Sequence, residues 1–149
     1  MAYKIPVSVL VVVHTPDLQV LLMERADRPG FWQSVTGSQN EGETLAQTAV
    51  RELKEETGLQ AERLYNVSRV ESFYLHSRDT VALIPVFAAL VPAQSEVKWS
   101  DEHDDAEWLP LGAASGRMAW PREGRTLADI AVLFGAGDAG GMEDVLRIR

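Results

Sequence analysis

The pattern of apolar and polar positions switches between two periods along this chain, and the switches mark out its elements. Val7 to Val13 is a run of valine and leucine interrupted only by Ser8, the pattern of a strand buried on both faces. Thr15-Pro16-Asp17 supplies a turn, and Gln19 to Arg25 reads as the partner strand. Ala26 to Gly30 is a loop, after which Phe31 to Gly37 continues as a short strand or extended piece. From Thr44 to Thr57 the period becomes helical, with Leu45, Ala49, Val50 and Leu53 on one face. Thr44 and Gln47 form a capping-box start, and Gly58 fits the left-handed residue just past the end. Strands are expected around Arg69 to Tyr74 and over Val81 to Val91, with a turn at Arg78-Asp79 and a bulge or edge at Pro85. Leu111 to Met118 reads as a turn or short helix. Arg125 to Phe134 is an amphipathic helix with Leu127, Ile130, Ala131 and Phe134 inward, and Trp120-Pro121-Arg122 lies just before it. The glycines from Gly135 to Gly141 predict a flexible connection to a last short element, Met142 to Arg149.

Composition narrows what such a chain does. At 149 residues it reads as one domain spanning residues 1–149, large enough for a substantial core. It has no cysteine, which removes disulfide, thiolate and cysteine-zinc chemistry. The seven-residue run Val7 to Val13 is too short to span a bilayer and lacks the flanks of a cleaved leader. A cytoplasmic protein without a membrane partner is the expectation. A net charge of −8 argues against a nucleic-acid partner, which calls for a basic patch. It leaves room for a small phosphorylated ligand, because a bound cation reverses the local field.

The helix Thr44 to Thr57 carries an electrostatic oddity. Glu52, Glu55 and Glu56 project together at helical spacing. The last two lie where the helix dipole disfavours acids by roughly 0.3–1 kcal/mol each. Glu52 and Glu56 also repel across one turn, at about 0.2–0.5 kcal/mol. The ordinary alternative is a solvated acidic face. The functional one is a hard divalent cation, which takes oxygen ligands and shares its shell with water and substrate phosphates.

The wider spacing decides between them. Gly37, five residues, Glu43, seven residues, Arg51-Glu52-Leu53, one residue, Glu55-Glu56, one residue, Gly58-Leu59 fits the Nudix box at every defined position. A chance match at one starting point is on the order of one in a billion at average residue frequencies. The stretch resembles the Nudix hydrolase family. That resemblance implies an α/β Nudix fold, a mixed β-sheet sandwiched between helices (α/β/α). It also implies hydrolysis of a diphosphate linkage with Mg²⁺, or alternatively Mn²⁺. It makes Glu52 and Glu56 direct metal ligands, puts Glu55 in or beside the shell, and pairs Arg51 with Glu43 as a brace. Glu52, Glu55 and Glu102 are all candidates for the general base.

Residues outside the box narrow the resemblance further. The box entrance is Thr36-Gly37-Ser38 where most of the family has Pro-Gly-Gly. RADRPGFWQSVTGS followed by GETLAQTAVREL looks like the bacterial branch acting on dihydroneopterin triphosphate, also labelled dATP pyrophosphohydrolase. In that branch Lys4, Arg25, Thr36 and Gly37 would contact a small-molecule triphosphate. Glu102, six residues before Trp108 in a strongly acidic run, would complete the catalytic and metal set. His103 beside it reads as paired or exposed rather than catalytic. Trp32, Phe73 and Tyr74 either stack on a heterocycle or belong to the core, and Trp120 to Arg122 either border the pocket or pack inside. The segments around Phe73 to Arg78 and Trp120 to Arg125 depart from the branch pattern. An 8-oxo-nucleotide sanitiser and a dinucleoside polyphosphate hydrolase, the latter with Tyr74 in play, therefore stay open, as do monomer and homodimer. A non-catalytic nucleotide sensor is disfavoured by the complete set of box carboxylates.

Overall fold

The computed structural model describes residues 5–15 and 17–149. Lys4 and Pro16 fall outside the described residues. The first strand, β1 (Pro6–Thr15), is the centre of a seven-stranded mixed sheet. It pairs antiparallel with β2 (Asp17–Arg25) at its far end and with β4 (Val35–Ser38) at its near end. Its other edge runs parallel to β6 (Thr80–Leu90), which pairs antiparallel with β5 (Arg63–Leu75). Past Val12 and Val20 the strands β1 and β2 diverge, and the short β3 (Trp32–Gln33) and β4 fill the gap, one on each. Strand β7 (His103–Pro110) closes the sheet on the outer edge of β2.

Both faces of the sheet are covered, as the near-continuous apolar run in β1 requires. Val7, Val9, Val11 and Val13 pack with Ala49 and Leu53 of helix α1 (Leu45–Thr57) on one side. Leu10 and Val12 meet Leu127, Ile130 and Phe134 of α3 (Pro121–Phe134) on the other. Helices α2 (Leu111–Arg117) and α4 (Glu143–Leu146) lie on that second face, each adding a buried residue to its core, so the architecture is α/β/α.

Helix α1 begins and ends as its caps dictate. The Thr44 hydroxyl accepts from the Gln47 amide at 3.1 Å while the Gln47 side chain accepts from the Thr44 amide at 2.8 Å. Gly58 closes it at φ 73°, its amide donating to the Lys54 carbonyl.

Three expectations are corrected. Helix α3 starts four residues before Arg125: Pro121 occupies its first turn, where a missing N–H costs nothing. Trp120 is thus its N-cap, and Arg122 and Glu123 are helical. Strand β5 begins at Arg63 rather than Arg69, its apolar alternation broken by a bulge between Asn66 and Val70, with Ser68 at φ 55°. The bulge lies in β5, opposite the Pro85 segment of β6. The glycine-rich tail is tied down rather than flexible. The Gly137 carbonyl accepts from Arg63, Glu143 accepts from the Tyr65 hydroxyl at 2.7 Å, and Arg147 bridges back to Tyr65.

Candidate active site

The box helix α1 packs over β4, and Gly37 sets how close. A Cβ there would overlap the Glu52 carboxyl, so only glycine lets that side chain lie against the strand. Arg51 holds the preceding loop: it donates to Glu43 at 2.6 Å and to the Ser38 carbonyl at 2.9 Å. Hydrogen bonds from Arg51 first, then from the Asn40 amide and the Thr48 hydroxyl, bring the Glu43 carboxyl down to about 2. Arg51 Nη1 also reaches Glu52 at 2.7 Å and Glu55 at 3.2 Å, a contact absent from the brace role expected of it. It is the positive charge those two carboxylates have here.

Glu56 points the other way, into a cavity of about 420 Å³ lined also by Thr36, Arg25, Glu102 and His103. Its carboxyl is 4% exposed, and Oε2 has no hydrogen-bond partner. Burial, then the charges of Glu52 and Glu102, push its pKa up to about 9, against the opposing Thr36 backbone amide. Burial also raises the Glu52 carboxyl, with Arg51 opposing it. Glu102 lies in the turn before β7, and its carbonyl accepts from the Ala26 amide at 2.9 Å, tying that turn to the β2–β3 loop. His103 is buried rather than exposed: Nε2 stands 3.9 Å from Glu56 Oε1, and neither ring nitrogen finds a hydrogen bond. Burial pushes its pKa down and keeps it neutral.

Among the described residues, no three acidic or histidine side chains converge on one point as they stand. Glu52 and Glu55 are held instead by Arg51, at 2.7 and 3.2 Å. The donor set nevertheless fits a hard divalent cation. A buried carboxylate oxygen lacking any partner, in a cavity whose lining also includes Asp101 and Glu102, is what such an ion satisfies.

Arg25 borders this cavity but is engaged by Asp27, at 2.8 and 2.6 Å. Thr36 borders it too, together with Gln33, and both residues also line a second cavity of about 170 Å³. The wall of the second cavity is aromatic. Phe73 and Trp120 stack at 6.3 Å and 23°, with the Arg122 guanidinium 4.9 and 4.4 Å from their ring centres. Its floor is polar and buried. Glu71 accepts from Arg122 at 3.1 Å and from the Thr126 hydroxyl at 2.6 Å. Glu123 accepts from the Ser34 amide and hydroxyl, and Ser34 shares a hydrogen bond with Ser8 at 2.9 Å. Of the aromatics weighed from sequence, Trp32 is core and Tyr74 is 60% exposed, its hydroxyl on Asp79 and outside both cavities. Gln33, Ser34, Glu71 and Glu123 carry no signal in the box. Only Pro121, as a first-turn residue, hinted that Glu123 was helical.

A buried, unpartnered carboxylate in the last turn of a capped helix, beside an aromatic-walled slot, suits a cation and a phosphorylated ligand that carries a flat ring. The chain belongs to the NUDIX domain family, whose pattern matches residues 4–130. Enzymes of this family generally use divalent metal ions. The dihydroneopterin triphosphate diphosphatase of Escherichia coli K12 is 38% identical over 126 residues, covering 76% of this chain and 83% of that one. The asymmetrical bis(5'-nucleosyl)-tetraphosphatase of Rattus norvegicus is 30% identical over 104 residues, 68% of this chain and 71% of that one. The solved E. coli dihydroneopterin triphosphate pyrophosphohydrolase superposes with a TM-score of 0.73 at 32% identity, over 89% of this chain and 99% of that one. Among the described residues, no helix is long and apolar enough to cross a membrane.

Proposed function

We propose that this protein is a Mg²⁺-dependent pyrophosphohydrolase, with Mn²⁺ as an alternative ion, that releases pyrophosphate from dihydroneopterin triphosphate and from (d)NTPs such as dATP. The observation that carries the reading is the pairing of cavities. One is lined by carboxylates, the other is an aromatic slot sized for a flat ring, and they meet at Gln33 and Thr36. A ring linked to a polyphosphate spans both. The E. coli relative, which bears this activity in its name, supports the choice of substrate.

Glu52, Glu55, Glu56 and Glu102 would hold the cation, which when bound neutralises phosphate oxygens and acidifies water. Gly37 keeps Glu52 against β4, and Arg51 and Glu43 fix the loop that enters the helix. A carboxylate among Glu52, Glu55 and Glu102 accepts the proton of the attacking water. That water adds to phosphorus, the bridging P–O bond breaks, and pyrophosphate leaves. Thr36 faces the phosphates from the strand, Arg25 borders the same cavity, and Lys4 is kept as a substrate contact on its place in the sequence alone. The partner is thus a small-molecule triphosphate in the cytoplasm, with neither nucleic acid nor membrane needed.

The rat relative favours a second reading, a dinucleoside polyphosphate hydrolase. The position of Tyr74 outside both cavities counts against giving it the second ring. Purified protein assayed with Mg²⁺ against dihydroneopterin triphosphate, dATP, 8-oxo-dGTP, ADP-ribose and diadenosine polyphosphates tests the choice. The expected result is the highest kcat/KM for the pterin. A value no better than for dATP removes the pterin assignment, and a diadenosine polyphosphate in first place installs the second reading.

A further inference from the structure

The slot beside the carboxylate cavity contains a group its structural role leaves unused. Glu71 is complete, because Arg122 takes one oxygen and Thr126 the other. Glu123 is not. It is only 3% exposed, both Ser34 contacts fall on its Oε2, and among the described residues Oε1 receives no hydrogen bond. The Glu123 side chain lines the slot under the Phe73–Trp120 pair. Ser34 fixes where Oε2 sits, and Oε1 is the oxygen that this side chain has left to offer the slot it lines.

The slot's size and walls limit that ring. An apolar cavity of about 150 Å³ takes up benzene, and this one, of about 170 Å³ and open at one side, suits one flat bicyclic ring. Arg122 is stacked over the aromatic wall and neutralised by Glu71, so it offers the ring a face rather than a free charge. The polar reading of the ring's edge therefore falls to Glu123, with Gln33 at the junction of the two cavities. The oxygen left free has only lone pairs to offer, so it takes N–H donors on the ring's edge and rejects a ring acceptor.

We infer that Glu123 is a specificity-determining residue that reads the donor edge of a 2-amino-4-oxo heterocycle, the amide N–H and exocyclic amine shared by pterins and guanine. Adenine lacks that edge, because its exocyclic amine adjoins a ring acceptor. The inference rests on the proposed function for its substrate class, but the slot's chemistry can be tested apart from turnover. Burial raises the Glu123 carboxyl while Ser34 opposes the shift, consistent with a site that gains from incoming donors.

The test is equilibrium binding of neopterin, guanosine, inosine and adenosine to the metal-free full chain, followed by calorimetry or tryptophan quenching. Wild type is expected to bind neopterin and guanosine about tenfold or more tightly than inosine, which lacks the 2-amino group, and adenosine. Glu123→Gln keeps the size and an oxygen for Ser34 but puts an amide where the second acceptor stood. It should erase that preference while leaving adenosine within about threefold. Equal affinity of wild type for guanosine and inosine overturns the inference, and so does a uniform loss across all four ligands in the variant. Should the variant not fold, the guanosine–inosine pair on wild type still decides. Ring selection without cleavage of any triphosphate would sink the proposed function and leave this inference standing.

Discussion

Glu56 and Glu71 are both 4% exposed, on either side of Gln33 and Thr36, yet the protein neutralises only one of them. Glu71 has a guanidinium on one oxygen and a hydroxyl on the other. Glu56 has a bare oxygen, a neutral His103 at 3.9 Å and three more carboxylates raising its pKa. The fold completes the charge where it has only to shape a slot, and leaves it incomplete where something else must complete it. A region that is self-sufficient and one that is not should respond differently to mutation and to pH.

The largest effect is expected at Glu56. Glu56→Gln should fold normally but lower kcat by ~10³-fold or more with Mg²⁺ present, several kcal/mol of lost charge stabilisation. Near wild-type turnover would remove Glu56 from the site. The same variant tests the stored charge. A carboxyl raised from 4.5 to about 9 stays protonated in the folded chain while the unfolded chain ionises. Between those limits the unfolded state binds fewer protons, so metal-free protein should lose stability as pH rises from about 5 to about 9. Melting curves in chelator should show that slope in wild type and a flatter one in Glu56→Gln.

Gly37→Ala comes next, because its Cβ would displace the Glu52 carboxyl. Misplacing a catalytic group by an ångström costs on the order of 10²-fold, so kcat should fall by about that much with KM less affected. Thermal unfolding should report a loss of about 1–3 kcal/mol from overpacking. A variant with unchanged kcat would show that Glu52 does not need this close approach.

The smallest effect belongs to the slot. Trp120→Leu removes one face of the aromatic wall at a residue 38% exposed. Stacking is worth about 1–3 kcal/mol per ring, so KM for a ring-bearing triphosphate should rise about tenfold with kcat nearly unchanged. A fall in kcat alone would place Trp120 in the chemistry rather than in ring binding.

The contrast also explains what was legible in the sequence. Thr44, Gln47, Gly58 and the Glu43–Arg51 pair act within a few turns of one another, so their spacing carries their geometry. The valine-rich run of β1 likewise announced a sheet covered on both faces. Glu71, Glu123 and Ser8 come from three separate elements and Ser34 from the link between β3 and β4, and each is an ordinary residue in its own segment. Only the pairing of β1 with β4 and the packing of α3 bring them together. Arg51 reaching Glu52 and Glu55, and Gly37 yielding to Glu52, were invisible for a different reason. They depend on how near a helix lies to a strand, which no spacing along the chain specifies.

The parallel pairing of β1 with β6 carries a consequence for how the molecule forms. Ser8 must wait for Val86, and the box lies wholly within the loop that this pairing closes. Closing a long loop costs entropy before its contacts repay it, and strands joined over such distances set a slow pace. A nascent chain can form the β1–β2 hairpin and cap α1 early, but one edge of β1 stays open until β6 is synthesised. Recovery of activity on dilution from denaturant should therefore follow the slow docking of β6, not the fast formation of the helix that bears the carboxylates.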